Sequence, residues 1–283
     1  MRNPPHELSP TGVSDNSGNP PSAGAVTVPA RSIGPGGWTT GESAVPCEEP
    51  VTLVINGVEL VTLLASPGER LALAVGFLFN EGIVDRVEQI EALEEDDTGV
   101  RVQARGVDVA LRLFERRVLG SGCGRAFFGN ALDAFAAGGR RLPAERPWVA
   151  SSAVAAAAAT AYGAGGLYQR TRGTHAAALF DRQGALVALA EDIGRHSAVD
   201  KVIGRLLLQG RPLDHLFMVV TGRVSSEMVG KIAKTPIPLL VSKSVPTDLA
   251  LNYAERMALC VVGRVAGGRM RVYTYPELVD PAA

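Results

Sequence analysis

The sequence predicts a protein that combines an α+β part with an α/β part, and two observations carry this prediction. The first half of the chain mixes a strand hairpin, one helix and further strands. The second half repeats a short, continuously apolar strand followed by a helix, the order that builds a parallel sheet with helices covering both faces. Hydrophobic residues make up 46% of the 283 residues, so the chain can bury a sizeable core.

Composition excludes several classes of protein. The formal net charge is -1, which argues against the basic excess of a nucleic-acid binder. The three cysteines, Cys47, Cys123 and Cys260, form no CxxC pair, so neither a disulfide framework nor a structural zinc site is indicated. No stretch is apolar and long enough to cross a bilayer. We therefore expect a cytoplasmic protein without a bound metal of its own.

The domain organisation follows from shifts in composition. Residues 1–42 are rich in Pro, Gly, Ser and Asn, and this composition predicts a disordered tail. We expect an N-terminal α+β domain over residues 43–125 and a C-terminal α/β domain over residues 126–283.

The elements of the first domain are predicted from turn and capping signals. Asn56 and Gly57 separate two apolar runs and predict a β-hairpin. Ser66 is predicted to cap a helix that includes Leu71 and Val75 and closes at Gly82. Strands are expected at residues 90–93 and 100–113.

Cys123 is the candidate nucleophile. It lies among three glycines and precedes Arg125, so we expect an accessible loop in which a cation favours the thiolate. The alternative interpretation is that Cys123 only fills a tight turn.

The second domain is predicted to begin with helices at residues 127–137 and 151–161 and a hairpin of strands at 175–180 and 185–190. Asp192 or Ser197 is predicted to cap the next helix, which places Arg195 and His196 near a helix N-terminus that favours an anion. The alternative is a solvated charge cluster of Glu191, Asp192 and Arg195, with His196 as a hydrogen-bonded structural residue. His175 is predicted to lie in the core.

Two strand-to-helix units follow, and they predict a crevice at the carboxyl ends of their strands. Four polar side chains are expected around it, namely Arg223, Ser225, Lys243 and Ser244. The alternative for Ser225 is ordinary helix capping, as for Thr247.

The final strands enclose a glycine pair between arginines. This segment is either a plain hairpin or a turn that holds a phosphate close to its backbone, and it consists of Arg264, Val265, Ala266, Gly267, Gly268 and Arg269. Cys260, within the preceding apolar run, is predicted to be a core residue.

These motifs together resemble the FdhD family, the sulfur carrier proteins needed for formate dehydrogenase activity, over residues 50–278. The matching positions include Asn56 and Gly57, residues 76–83, residues 121–124, residues 174–177, residues 191–196 with Asp200, Lys201, Gly204 and Arg205, Arg223 with residues 226–228, and residues 267–269 with residues 272–274.

The resemblance implies a sulfurtransferase. Such a protein takes sulfur from a cysteine desulfurase as a persulfide, here on Cys123, and passes it to the molybdenum cofactor, bis-molybdopterin guanine dinucleotide, for formate dehydrogenase. It also implies cofactor contacts at residues 264–269, a C-terminal domain of three layers similar to the cytidine deaminase fold, and a homodimer.

The chain departs from the family pattern in two places. Ala126 stands where relatives commonly carry a second loop cysteine, so a relay between paired cysteines is not available. Arg264 and Ala266 replace an aromatic or basic residue often seen in the cofactor segment. A non-catalytic cofactor chaperone is therefore the alternative function. A zinc deaminase is excluded because the H-x-E and P-C-x-x-C motifs are missing.

Overall fold

The computed structural model describes residues 24–108, 118–119, 125–126 and 141–281. The first described element is a long β-hairpin of β1 (Ala25–Gly34) and β2 (Gly37–Pro46), paired without a bulge from Ala25 opposite Pro46 to Gly34 opposite Gly37. The predicted disordered tail of residues 1–42 is therefore wrong for residues 25–42. The composition is typical of a disordered segment, but the segment also contains strand-forming residues. Their backbone N–H and C=O groups form hydrogen bonds with one another across the hairpin. Residues 1–23 lie outside the described residues.

The N-terminal unit is a four-stranded sheet with one helix against it. Its elements are β3 (Glu49–Ile55), β4 (Val58–Ala65), α1 (Arg70–Asn80), β5 (Ile90–Glu95) and β6 (Gly99–Ala104), with a single 3-10 turn at Val87–Gln89. The strand order is β4-β3-β6-β5. Asn56 and Gly57 form the predicted turn, both with positive φ. Only the first part of the strand predicted at residues 100–113 is described, and it ends at Ala104.

Two short strands lie on either side of residues 120–124 in the chain. β7 (Val118–Leu119) and β8 (Arg125–Ala126) pair antiparallel. Cys123 and the helix predicted at residues 127–137 lie outside the described residues, so both stay predictions, as does the domain boundary at residues 125 and 126.

The C-terminal unit is built on a six-stranded sheet of order β11-β10-β12-β13-β14-β15. Its elements are β9 (Val149–Ala150), α2 (Ser151–Gly163), α3 (Gly166–Thr171), β10 (His175–Asp181), β11 (Leu186–Asp192), α4 (Arg195–Leu208), β12 (Leu216–Val220), α5 (Ser226–Ala233), β13 (Leu239–Ser242), α6 (Asp248–Arg256), β14 (Cys260–Ala266), β15 (Arg269–Val272) and β16 (Val279–Asp280). The strands β12, β13 and β14 are parallel.

Helices cover both faces of this sheet, so the predicted combination of α+β and α/β architecture in three layers is confirmed. On one face α4, α5 and α6 bury a core that includes Val202, Met218 and Ile232. On the other face α2 packs over Phe180 and Phe217, whose stacked rings have centroids 5.7 Å apart. Cys260 lies in this second core as predicted, and burial raises the pKa of its thiol. Within the described residues no helix combines the length and the apolar character needed to cross a bilayer.

The two units meet where α1 crosses α4, and two glycines permit the contact. A Cβ atom on Gly76 would lie 1.9 Å from the carbonyl oxygen of Asp200, and a Cβ on Gly204 would lie 1.9 Å from that of Ala72. Each helix therefore places a glycine against the backbone of the other, at a distance that no larger residue permits.

The start of α1 differs from the prediction. The helix begins at Arg70, with Glu69 in the left-handed conformation as N-cap and no side-chain cap. Ser66 does not cap the helix because its groups bind the other unit. Its hydroxyl accepts from the Ile193 N–H at 3.0 Å, and its own N–H donates to Asp192 Oδ2 at 3.0 Å.

We predict that Gly76→Ala or Gly204→Ala lowers the free energy of unfolding by about 3 kcal/mol or more, because the new methyl group overlaps backbone that must move. Urea denaturation measures the change. Gly163→Ala is the matched control, since a Cβ at this last residue of α2 meets no atom within 4 Å. Equal stability of the crossing variants and the control would contradict the packing argument.

Candidate functional site

The candidate site is the edge of the six-stranded sheet at the carboxyl ends of its parallel strands. Thr221 to Arg223 follow β12, Lys243 and Ser244 follow β13, and Arg264 lies near the end of β14, whose last residue is Ala266. The Arg264 N–H donates to the Ser244 carbonyl at 2.9 Å. The topology therefore brings Arg223 and Ser244 to one edge, as the strand order predicted, and it also places Arg264 beside Ser244.

Residues 264–269 form the end of β14, a two-residue turn of Gly267 and Gly268, and the start of β15. Arg264 has a φ of 53°, and Gly267 and Gly268 have φ values of 56° and 74°. Val265 is buried, whereas Arg264 and Arg269 are exposed. Added Cβ atoms on the two glycines would meet nothing within 4 Å, so the turn is open to solvent. The plain hairpin is confirmed, and a phosphate contact there stays a prediction.

Arg195 and His175 lie beside the turn that follows β12. Arg195 packs on Gly222, where a Cβ would be 3.0 Å from Arg195 Cδ, and its buried Nε has no hydrogen-bond partner among the residues that the structure describes. His175 Nδ1 lies 3.3 Å from the Thr221 hydroxyl. The prediction that His175 is a core residue is wrong. It is half-buried at the first position of β10, because the antiparallel β10 begins at the edge where β12 ends.

His196 is held neutral. Burial first, and then the cations Lys231 and Arg195, lower its pKa to about 3. Its Nε2 lies 3.3 Å from Glu227 Oε2 without hydrogen-bond geometry, so the hydrogen-bonded structural role is not observed at that nitrogen. Burial raises the pKa of Glu227. Arg195 and His196 do occupy the first turn of α4, as predicted.

The charges around Asp192 are buried and paired. Asp192 is fully buried, and its Oδ2 lies 2.8 Å from Lys201 Nζ. Lys201 also donates to the Ser66 carbonyl at 2.7 Å, while Asp192 Oδ1 accepts from the Gly194 N–H at 2.8 Å. The interpretation as a solvated cluster is therefore wrong for Asp192, and so is helix capping by Asp192 or Ser197, because Gly194 is the N-cap without a side-chain bond.

A second buried cluster centres on Lys231. Its Nζ lies 3.0 Å from both carboxylate oxygens of Asp200 and 2.7 Å from Glu81 Oε1. Asn80 Nδ2 donates to Asp200 Oδ1 at 2.7 Å. The two acids keep the pKa of Lys231 above its ordinary value despite burial, which acts in the opposite direction. Lys231 is therefore charged, and it joins the end of α1 to α4 and α5.

The remaining predicted residues have structural partners. Glu191 accepts from the N–H groups of Leu167 and Tyr168 at 2.8 Å and 2.7 Å, and it thereby fixes the start of α3. Ser225 caps α5 by accepting from the Met228 N–H, and Thr247 caps α6. For both residues the capping interpretation is confirmed.

The aromatic side chain of Tyr162 lies at the same edge of the sheet, beside Lys243. Lys243 Nζ lies 5.4 Å from the ring centroid of Tyr162, whose buried hydroxyl has no hydrogen-bond partner. Burial raises the pKa of that hydroxyl. A shallow depression of about 230 Å³ lies at the opposite edge, beside Trp148 and Arg182, and lacks these groups.

The partners that hold the site in place could not be predicted from local sequence. Ser66, Asn80 and Glu81 lie far from the predicted crevice residues along the chain, and Lys231, although close to Ser225, pairs with Glu81 and Asp200. One available signal was the scarcity of lysine. Only four of the 28 basic residues are lysines, and two of them, Lys201 and Lys231, are fully buried.

The fold is that of a two-part protein, in which a three-layer α/β unit is joined through a glycine-packed helix pair to a smaller sheet. The crystal structure of a candidate formate dehydrogenase accessory protein from Desulfotalea psychrophila has the same fold, with a TM-score of 0.74, 24% identity and coverage of 91% of this chain and 100% of that chain.

The chain belongs to the FdhD/NarQ family, whose family model matches residues 46–280. It is 34% identical over 237 residues to the sulfur carrier protein FdhD of Shouchella clausii, covering 82% of this chain and 88% of the relative. It is 33% identical over 242 residues to the protein of the same name from Bacillus subtilis, with coverage of 84% and 91%.

We predict that His196 makes stability fall with acidity. Its folded pKa of about 3 lies below the ordinary value of about 6.5, so the unfolded chain binds the proton first. The contribution of His196 to the free energy of unfolding is complete above pH 6.5 and is lost as the pH falls toward 3. The loss amounts to about 2 kcal/mol at pH 5.

Urea denaturation at pH 7.5 and pH 5 tests this expectation. His196→Gln should lose less stability between these two values than the wild-type chain. The control is His215→Asn, because the His215 side chain is 74% exposed. A similar pH dependence of all three proteins would show that His196 does not titrate as described.

Proposed function

We propose that this protein is a sulfur carrier that acts as a sulfurtransferase. It accepts sulfur from a cysteine desulfurase as a persulfide on Cys123 and transfers it to bis-molybdopterin guanine dinucleotide, the cofactor required by formate dehydrogenase. The observation that carries the proposal is the relationship to curated sulfur carrier proteins over more than four-fifths of the chain. The clustering of arginines at one sheet edge is consistent with it.

The first step is thiol chemistry at Cys123. The thiolate attacks the terminal sulfur of the desulfurase persulfide, the sulfur–sulfur bond of that persulfide breaks, and the desulfurase cysteine leaves as a thiolate. Cys123 then carries the sulfur. Neither of the other two cysteines suits this role equally well. Cys260 is buried with a raised thiol pKa, and Cys47 is only partly exposed at the end of the first hairpin.

The second step delivers the terminal sulfur and regenerates the Cys123 thiolate. Delivery as a sulfide breaks the sulfur–sulfur bond on Cys123 and requires two electrons, which a substrate cofactor with reduced molybdenum would supply. Both steps need only one cysteine, which carries the sulfur as a persulfide. Sulfur transfer is therefore compatible with Ala126 in place of a second cysteine. A cofactor chaperone without sulfur transfer is the alternative that this replacement favours.

The carboxyl edge of the sheet suits the phosphates of the substrate cofactor. Arg264 and Arg269 flank a turn whose glycines let an anion approach the backbone. Arg223 is exposed at the same edge, and the Arg195 Nε has no hydrogen-bond partner. Arginine is suited to phosphate oxygens because its guanidinium donates several hydrogen bonds in a fixed plane. We assign the cofactor diphosphates to this edge, with Ser244 and His196 beside it.

The partners in this proposal are a cysteine desulfurase, formate dehydrogenase and a second copy of the chain. We assign the protein to the cytoplasm. Nucleic acid has no part in the proposal, because the net charge is close to zero.

We predict that incubation with a cysteine desulfurase and cysteine adds about 32 daltons, the mass of one sulfur atom, to the intact chain. Cys123→Ser should abolish the adduct, because serine forms no persulfide, whereas Cys47→Ser should retain it. Mass spectrometry under non-reducing conditions detects the change. An unmodified wild-type chain, or a modified Cys123→Ser variant, would favour the chaperone.

We predict separately that guanosine diphosphate binds and that Arg269→Ala weakens its binding about tenfold, through the loss of a charge-assisted hydrogen bond. Isothermal titration calorimetry measures both affinities. Arg211→Ala is the control because this exposed arginine precedes β12 at the opposite edge of the sheet. Equal effects of the two substitutions would remove the turn from the proposed site.

A further inference from the structure

The β1–β2 hairpin, residues 25–46, projects from the C-terminal unit. Its base packs on α3, where Gly24 lies against Leu167. Every residue from 31 to 43 is exposed. The hairpin is a sheet of only two strands, so each strand has a neighbour on one side and leaves a row of backbone groups unpaired on the other side.

The strand register shows which backbone groups are unpaired. At the base of the hairpin the Cys47 N–H donates to the Gly24 carbonyl at 2.8 Å, so this rung of the ladder is a hydrogen-bonded one. In an antiparallel pair such rungs alternate with rungs whose N–H and C=O groups point outward. The closing pair of Gly34 and Gly37 falls on a hydrogen-bonded rung, as a two-residue turn requires.

The two outer edges of the hairpin differ. Pro29 lies in the middle of the outward row of β1, where it removes an N–H group and interrupts the row. The outward row of β2 is continuous over Trp38, Thr40, Glu42 and Ala44, each with an N–H and a C=O. We call these four residues the open edge. Within the described residues their backbone groups form no hydrogen bond outside the hairpin, so β2 can accept a further strand.

The side chains of the open edge indicate what kind of strand it accepts. They lie on one face, because alternate residues of a strand point the same way. Trp38 is 61% exposed, and Glu42 is exposed without an ion pair to any residue that the structure describes. The only cation of the hairpin is Arg31, which lies 5.3 Å from the centroid of the Trp38 ring. An incoming strand therefore meets an apolar group and an unpaired carboxylate.

We propose that the open edge is a strand-addition site for an extended segment of another protein. Backbone hydrogen bonds from Trp38 to Ala44 hold a segment of seven residues, about 23 Å long. The added strand runs antiparallel to β2, since this pairing is the more stable one per residue. Cross-strand pairs set its chemistry, with an apolar side chain opposite Trp38 and a basic side chain opposite Glu42.

A synthetic peptide of sequence Val-Thr-Lys-Thr-Thr-Thr-Ile, labelled with fluorescein, is the probe. In the antiparallel pair its lysine is opposite Glu42 and its isoleucine is opposite Trp38. Fluorescence anisotropy measures binding to the full chain, and hydrogen exchange measures protection of the open-edge amides. N-methylation of the fifth peptide residue, whose N–H faces β2, is expected to abolish binding. N-methylation of the fourth residue, whose N–H faces away, is the control and is expected to leave binding unchanged.

Thr40→Pro tests the protein side of the contact. Proline at this outward position keeps the hydrogen bonds of the hairpin, as Pro29 does in β1, but it removes an N–H from the open edge. We expect binding to weaken at least tenfold. Thr27→Pro is the matched control, because it makes the same change on the outer edge of β1. Glu42→Lys should also weaken binding, and a peptide with glutamate in place of lysine should recover most of that loss.

The outcomes separate the possible partners of the hairpin. Loss of binding in Thr40→Pro but not in Thr27→Pro, with recovery in the charge exchange, supports strand addition. A peptide that does not bind the wild-type chain, equal effects of the two proline variants, or binding that ignores the charge at position 42 overturns the proposal. Open-edge amides that become protected without peptide as the protein concentration rises also overturn it, because a second copy then covers the edge. None of these results depends on Cys123 or on sulfur transfer, so the proposed function is tested separately.

Discussion

The crossing of α1 and α4 is the contact on which the rest of the structure depends. Gly76 and Gly204 bring the two backbones together more closely than any side chain would permit. This distance sets the position of α4, whose first turn presents Arg195 and His196 to the sheet edge. The N-terminal sheet, although it supplies none of the predicted cofactor contacts, therefore determines where the candidate site lies relative to the strands.

Two buried ion clusters lock this arrangement. Lys201 joins Asp192 to the Ser66 backbone, and Lys231 joins Asp200 to Glu81. Buried charges cost desolvation energy, and they are tolerated because each one has partners within hydrogen-bond distance. Below the edge these acids are paired with the two buried lysines, whereas Arg223, Arg264 and Arg269 are exposed at its surface. The site edge is therefore basic, because the acidic groups are buried with lysines below it and the arginines lie at its surface.

The same layering explains the state of His196. Burial first, and then the neighbouring ammonium and guanidinium, lower the pKa of His196 and keep it from acquiring a second proton in the physiological range. At neutral pH the positive charge of the edge comes from arginine and lysine, so it does not change with small changes in pH. The proposed sulfur transfer adds one further requirement, an accessible thiolate, which we propose for Cys123.

Much of the architecture follows from local sequence. The continuous apolar runs of β12, β13 and β14 determined the parallel sheet, and Asn56 with Gly57 determined a hairpin, because periodicity and turn chemistry act over a few residues. The gathering of Arg223 and Ser244 at one edge followed from strand order alone. Only the tertiary structure decided the partners of Ser66 and Lys231, the position of His175 and the order of the β1–β2 hairpin. These depend on contacts between groups 31 to 135 residues apart or on pairing between strands of unpromising composition, which local propensity does not encode.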